Sequence, residues 1–213
     1  MSERLRIALT KGRLQEKSVE LFEAAGLDCT PVRSPGRRLI HALPNYPLDV
    51  VLAKAPDVIT YVEHGVCDLG VVGKDTVLEK GGAFYEVLDL GFGRCRFALA
   101  VKRGCDFYGT YKTRRVASKY PNVTRAFFEG KGMDVDIIII EGSVELAPIL
   151  DLADGIVDIV ETGATLKENG LEPIEDVAQV SARLIVNTAA MKLYKNEITD
   201  FLSRVERELG GEA

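Results

Sequence analysis

The sequence predicts an α/β protein built in two lobes. Short Val-, Ile- and Leu-rich runs recur about every 20 to 30 residues with helical patterns between them, the alternation of a parallel α/β architecture. The triplet Gly91-Phe92-Gly93 interrupts that alternation near mid-chain and reads as an outward hinge. With 213 residues, 46% of them apolar, the chain can fill one large core or two small ones without staples.

In chain order, strands are expected at Leu5–Leu9, Leu48–Ala53, Leu69–Val72, Phe97–Val101, Val116–Ser118, Val135–Ile140 and Ile156–Val160. Ile137–Ile140 reads as buried. A helix over Leu14–Ala25 stops at Gly26, and one over Pro121–Lys131 opens on proline and stops at Gly132. The last helix is the clearest, because Ile198, Phe201, Leu202, Val205 and Leu209 share one face and the other face is charged. The stretch Pro173–Arg183 reads as the return crossing. Lobe I then comprises residues 1–92 with 179–213, and lobe II residues 93–178.

Composition excludes several function classes. The balance of 27 basic against 32 acidic residues, a net charge of −5, argues against nonspecific nucleic-acid binding. Cys29, Cys67, Cys95 and Cys105 form no CxxC pair, which argues against a zinc site or disulfide framework and fits a reducing, cytoplasmic compartment. No apolar run reaches membrane-spanning length, and the first residues lack a basic-then-apolar leader. An anionic ligand would therefore be held locally, by loop amides and a few placed cations.

The strongest chemical signal is the run Ile156 to Leu166, IVDIVETGATL, a strand entering a Thr/Gly turn and then a helix. Its amides, with the Thr162 and Thr165 hydroxyls, suit a phosphate monoester, and Gly163 and Ala164 complete the turn. Asp158 near the strand end suits ribose hydroxyls or a water-mediated Mg²⁺ contact. An ordinary strand, turn and helix with Thr162 as a cap fits the same pattern. Lys11 and Arg13 after the first strand, and Lys54 after the second, stand where ligands bind in open α/β sheets. Lys74 has a similar place. Arg94 and Arg96 alternate by the hinge, serving either a ligand or a surface ladder. His64 reads as a helix-end cap and His41 as core or edge filler.

Several stretches resemble one family. Glu145 to Leu166, ELAPILDLADGIVDIVETGATL, is similar to the signature of ATP phosphoribosyltransferases, with Asp151 where the family has glycine. Thr10-Lys11-Gly12-Arg13-Leu14 resembles the family's PKGRL element, with Thr10 for proline. Asp57 to Asp75, Val116 to Val123 and Glu141 to Pro148 also match in order. At Asp151 the substitution would impair a closely packed site and be harmless at a solvent-facing one.

The resemblance implies two periplasmic-binding-protein-like lobes with the active site in the cleft between them. The length suits the short form, which assembles as a homo-oligomer with a regulatory subunit resembling histidyl-tRNA synthetase. The implied reaction joins adenine N1 of ATP to the anomeric carbon of phosphoribosyl pyrophosphate, releasing pyrophosphate, as the first step of histidine biosynthesis, with substrate-bound Mg²⁺. Adenine N1 is already unprotonated at neutral pH, so the reaction needs alignment and charge stabilisation rather than a general base. Strand-end placement and the resemblance together assign Asp158 and Lys11 to catalysis, Asp158 and Thr162 to Thr165 to phosphoribosyl pyrophosphate, and Lys11, Arg13, Lys54 and, by its family segment, Glu141 to ATP. Glu145 is left as a helix-start charge, and no direct metal ligand is assigned. The rival readings are a noncatalytic two-lobed sensor of small molecules and a phosphoribosyltransferase acting on a free base.

Overall fold

The computed structural model describes residues 4–34, 36–109 and 112–210. The chain divides into two compact units, Met1–Gly93 with Ser181–Ala213, and Arg94–Val180. These divisions fall within one or two residues of the 92/93 and 178/179 boundaries expected from the sequence.

The discontinuous unit begins with β1 (Leu5–Thr10), α1 (Arg13–Ala24), α2 (Thr30–Arg33), β2 (Ile40–Ala42) and β3 (Leu48–Ala53). It continues through α3 (Ala55–Glu63), β4 (Leu69–Gly73), α4 (Lys74–Lys80) and β5 (Phe84–Asp89). The central unit holds β6 (Cys95–Lys102), β7 (Arg114–Ser118), α5 (Pro121–Gly130) and β8 (Val135–Ile139). It ends with α6 (Leu146–Ile149), β9 (Gly155–Val160), α7 (Ala164–Glu168) and β10 (Leu171–Val180). The chain then returns to the first unit as β11 (Ala182–Asn187), α8 (Ala190–Leu193) and α9 (Lys195–Gly210).

The first sheet has the order β2-β3-β1-β4-β11-β5, with β3, β1 and β4 parallel and β2, β11 and β5 joined antiparallel to their neighbours. On one face, α1 and α9 bury Phe22, Ile198, Phe201 and Val205 against Ile7, Leu9, Val50 and Leu184. The Phe22 and Phe201 rings meet edge to face at 5.4 Å. On the other face, α3 lays Val58, Ile59 and Val62 against Ala8, Val72 and Ile185. Gly70 of β4 makes that approach possible. A Cβ there would lie 2.8 Å from both Val58 Cγ1 and Val62 Cγ2.

The second sheet has the order β10-β6-β9-β7-β8, with β9, β7 and β8 parallel and β6 antiparallel to both β9 and β10. Strand alternation sorts β6 by size: Phe97, Leu99 and Val101 face one core with Phe128, and Ala98 and Ala100 face the other with Ile156 and Leu166.

Two expectations need correction. Both sheets are mixed rather than parallel: β2, β11 and β5 pair antiparallel in the first, and β6 runs antiparallel to both its neighbours in the second. The chain returns to the first unit at Ser181, within Pro173–Arg183, and that stretch is strand on both sides of Ser181; β10 bulges at Pro173/Glu175, which accommodates a residue that cannot donate to the ladder. Ile137–Ile140 is not a buried run, since β8 is the sheet edge and Ile139 is 59% exposed. His41 is buried on edge strand β2, its Nε2 3.1 Å from the Arg38 carbonyl.

Asp151, in the turn between α6 and β9, has φ of 57°, the one non-glycine residue with positive φ among the described residues. This left-handed backbone, rather than crowding, gives glycine its advantage at the position. Aspartate is among the side chains that tolerate it best. Its carboxylate points to solvent and pairs with Lys102 Nζ at 2.6 Å, which holds its pKa below the ordinary value.

Two substitutions test this packing. Gly70→Ala forces methyl overlap with Val58 and Val62, and thermal denaturation should register a loss of about 1–3 kcal/mol. Asp151→Gly exchanges an exposed ion pair for relief of the left-handed strain and should raise the unfolding temperature by about 2 °C; a fall would place the constraint in the ion pair instead.

Candidate functional site

Two strand-end regions carry the sequence-predicted residues, one in each unit. In the discontinuous unit, Thr10 pairs with Ala53 at the carboxyl ends of β1 and β3. The Lys11 amide donates to Ala53 O at 2.9 Å, so Lys11 and Lys54 leave adjacent strands side by side. Both are exposed, as is Arg13 at the start of α1. Gly12, with φ of 94°, makes the sharp entry into that helix. Thr10 uses its hydroxyl to donate to Val71 O at 2.9 Å, tying β1 to β4 where a proline could make no such bond. Lys74 is engaged otherwise, its ammonium paired with Glu86, which also meets Arg183.

In the central unit, β9 ends two residues after Asp158 and turns through Glu161, Thr162 and Gly163 into α7. Gly163 has φ of 78°, and the Ala164 amide donates to Thr162 Oγ1 at 3.3 Å. Thr162 therefore does cap its own turn. The amides of Gly163, Thr165 and Leu166 find no backbone acceptor among the described residues, as is usual in the first turn of a helix. Residues 158–166, with Glu145, line a depression of about 330 Å³.

Asp158 dominates the electrostatics there. Burial pushes its carboxyl above the ordinary pKa; the hydrogen bond accepted from Ile159 N–H at 2.8 Å opposes this, the Glu145 charge adds to it, and Lys119 works against it. Glu145 is thus a pocket residue, and it makes no side-chain cap hydrogen bond to α6. Glu141 is exposed and not part of the pocket lining. Sequence reasoning assigned Glu141 to the ribose and adenine end and left Glu145 as a helix-start charge, so it did not anticipate Glu145 beside Asp158. It also passed over Lys119, whose signal was its place at the end of a predicted strand.

Of the remaining candidates, Arg96 is committed to Asp176 across β6 and β10 at 2.6 Å, the surface-ladder alternative. His64 caps α3 through its backbone and is exposed. A similar-sized depression lined by Leu5, Tyr46, Pro47, Asn196, Glu197 and Asp200 is largely apolar. Its carboxylate Asp200 is already held by Tyr46 and Arg204, so it offers less chemistry. No group of three or more His, Cys, Asp or Glu side chains among the described residues is arranged to hold a metal ion. The Asp158 and Glu145 carboxylates fit a cation that arrives with its own oxygen ligands.

A family model described as ATP phosphoribosyltransferase matches residues 54–207, spanning Lys54, Asp158 and the whole Thr/Gly loop. The chain belongs to the ATP phosphoribosyltransferase family. The ATP phosphoribosyltransferase of Clostridium acetobutylicum is 58% identical over 203 residues, covering 95% of this chain and 94% of that protein. That of Clostridium kluyveri is 56% identical over 206 residues, covering 97% and 94%. Among solved structures, the ATP phosphoribosyl transferase (HisG:HisZ) complex from Thermotoga maritima superposes with a TM-score of 0.82 at 32% identity, covering 97% of this chain and 99% of that one. The periplasmic aliphatic sulphonate binding protein SsuA from Escherichia coli has a TM-score of 0.60 at 14% identity, with 98% and 73% covered, a likeness of fold. The 213-residue length suits the short form of the ATP phosphoribosyltransferase family.

The buried charge of Asp158 makes a prediction in two directions. Between its ordinary and raised pKa the folded chain retains a proton that the unfolded chain releases, so stability falls as pH rises through that window and the ionised carboxylate opposes folding at neutral pH. Asp158→Asn keeps an acceptor for Ile159 N–H and removes the charge. It should raise the unfolding temperature by about 2 °C at pH 7 while turnover falls steeply. Unchanged turnover would remove Asp158 from the chemistry.

Proposed function

We infer that this chain transfers the 5-phosphoribosyl group of phosphoribosyl pyrophosphate to adenine N1 of ATP, giving N1-(5-phosphoribosyl)-ATP and pyrophosphate, the first step of histidine biosynthesis. Family membership across nearly the whole chain carries this reading. The donor-rich turn after β9, with Asp158 beside it, supplies the matching chemistry.

In the proposed arrangement, the amides and hydroxyls of Thr162, Gly163, Ala164 and Thr165 hold the 5-phosphate, as turn amides at a strand end do for anions. Asp158 accepts hydrogen bonds from the ribose hydroxyls. Its carboxylate also lies where positive charge builds on the ribosyl ring as the bond to pyrophosphate breaks. Lys11, Arg13 and Lys54 meet the triphosphate or the leaving pyrophosphate, with Lys11 acting as pyrophosphate departs. Glu141 is assigned to ribose hydroxyls at the adenine end. Mg²⁺, bound to the pyrophosphate oxygens, would supply charge neutralisation for the leaving group. No proton need be removed from the attacking nitrogen, so the absence of a placed base among these residues is consistent with the reaction.

The same reading places the chain in the cytoplasm and in a hetero-oligomer with a histidyl-tRNA-synthetase-like regulatory subunit. The HisG:HisZ pairing in the Thermotoga maritima complex supports that assembly. No helix among the described residues is long and apolar enough to cross a membrane.

Thermal unfolding with separate ligands tests the reading without requiring the partner. Phosphoribosyl pyrophosphate with Mg²⁺, and separately ATP, at about 100 times their dissociation constants should each raise the unfolding temperature by roughly 5–10 °C. Stabilisation by a free amino acid and by neither substrate would turn the assignment to a sensor.

A further inference from the structure

The depression at the end of β9 has a charge imbalance. Its lining includes the carboxylates of Glu145, Asp158 and Glu161 and no lysine or arginine. The ligand assigned to it is itself a polyanion. Amides and hydroxyls can hold phosphate oxygens, but they leave the summed negative charge in place. Substrate-bound Mg²⁺ would offset part of that charge, and any protein cation that adds to it stands just outside the lining.

The strand register identifies where. β7 runs parallel to β9, with Val116 opposite Gly155 and Ala117 opposite Ile156. One step further, Ser118 Oγ donates to Val157 O at 2.6 Å. The next step carries Lys119 out of β7 at the level of Asp158. Its side chain is exposed, and it forms no ion pair among the described residues. Three other cations of this unit are engaged elsewhere: Arg96 with Asp176, Lys102 with Asp151 and Lys131 with Glu175.

We propose that Lys119 is a substrate-contacting residue whose ammonium pairs with phosphoryl oxygens of phosphoribosyl pyrophosphate, supplying the positive charge that the pocket lining lacks. The proposal rests on the reading of residues 158–166 as the phosphoribosyl pyrophosphate site. Lys119 already acts on this pocket electrostatically, drawing the Asp158 carboxyl down against the effect of burial. Lysine suits the task as a compact charge on a flexible stem, able to follow oxygens that move as the leaving group departs.

The test is calorimetric titration of phosphoribosyl pyrophosphate with Mg²⁺, and separately of ATP, into the wild-type chain, Lys119→Ala, Lys119→Arg and Asp158→Asn. Lys119→Ala should unfold at the wild-type temperature and bind phosphoribosyl pyrophosphate about tenfold more weakly, with ATP affinity unchanged. Lys119→Arg should recover affinity to within about threefold of wild type. Wild-type phosphoribosyl pyrophosphate affinity in Lys119→Ala, with affinity lost in Asp158→Asn, would overturn the role of Lys119 and leave the loop assignment standing. Wild-type affinity in both variants would remove the loop assignment and this proposal together. An arginine variant as weak as the alanine variant would also overturn the charge role.

Discussion

Parallel pairing is the constraint on which both candidate regions depend. When two strands run in the same direction, their carboxyl ends reach the same edge of the sheet, and the residues that follow are delivered there together. In the discontinuous unit this brings Lys11 and Lys54 out beside each other, linked by the Lys11 amide and the Ala53 carbonyl. In the central unit it brings Lys119 to the level of Asp158. Neither pair is close in sequence. The antiparallel strands added at the sheet margins extend the cores without changing which edge collects these side chains.

The two regions solve different electrostatic problems. Lys11, Arg13 and Lys54 are exposed cations on flexible stems, able to meet a long and mobile polyphosphate. The β9 turn offers fixed dipoles beside a half-buried carboxylate, an arrangement that discriminates by position more than by net charge. A reaction whose nucleophile is already unprotonated asks mainly for alignment and for stabilisation of separating charges. Side chains of these kinds meet that demand without a histidine, and His64 and His41 have structural places instead.

The strongly periodic or continuous apolar segments were legible in the sequence: β1, β3, β4 and β9 within a residue, and α9 through Ile198, Phe201 and Val205. The strands that were missed are those whose stability comes from neighbours. β5 has the pattern FYEVLD with exposed members on both faces, and β10 carries Pro173, Glu175 and Asp176, so neither announces a core face. At the site, the strand and the Thr/Gly turn were readable because they are local. That Glu145 lies beside Asp158 was not, since it depends on how α6 buries Ala147 and Pro148. The left-handed backbone at Asp151 was hidden too, as an aspartate gives no sign of the φ it adopts.

The strand order of the first sheet also bears on how the chain is made. β11 lies between β4 and β5, yet it follows the whole central unit in sequence. As the polypeptide emerges from the ribosome, β5 therefore has no neighbour to zip onto until residues beyond 181 appear. The central unit, being continuous, can complete its own sheet in that interval, as domains do when they fold as units during synthesis. The earlier-made half must wait, with Phe84 and Val87 of β5 still unsheltered, for a strand that closes the sheet through pairings nearly 100 residues apart in the chain. Such long-range closure is slow. The order of assembly would then depart from the order of translation: the middle of the chain first, and its two ends last, together.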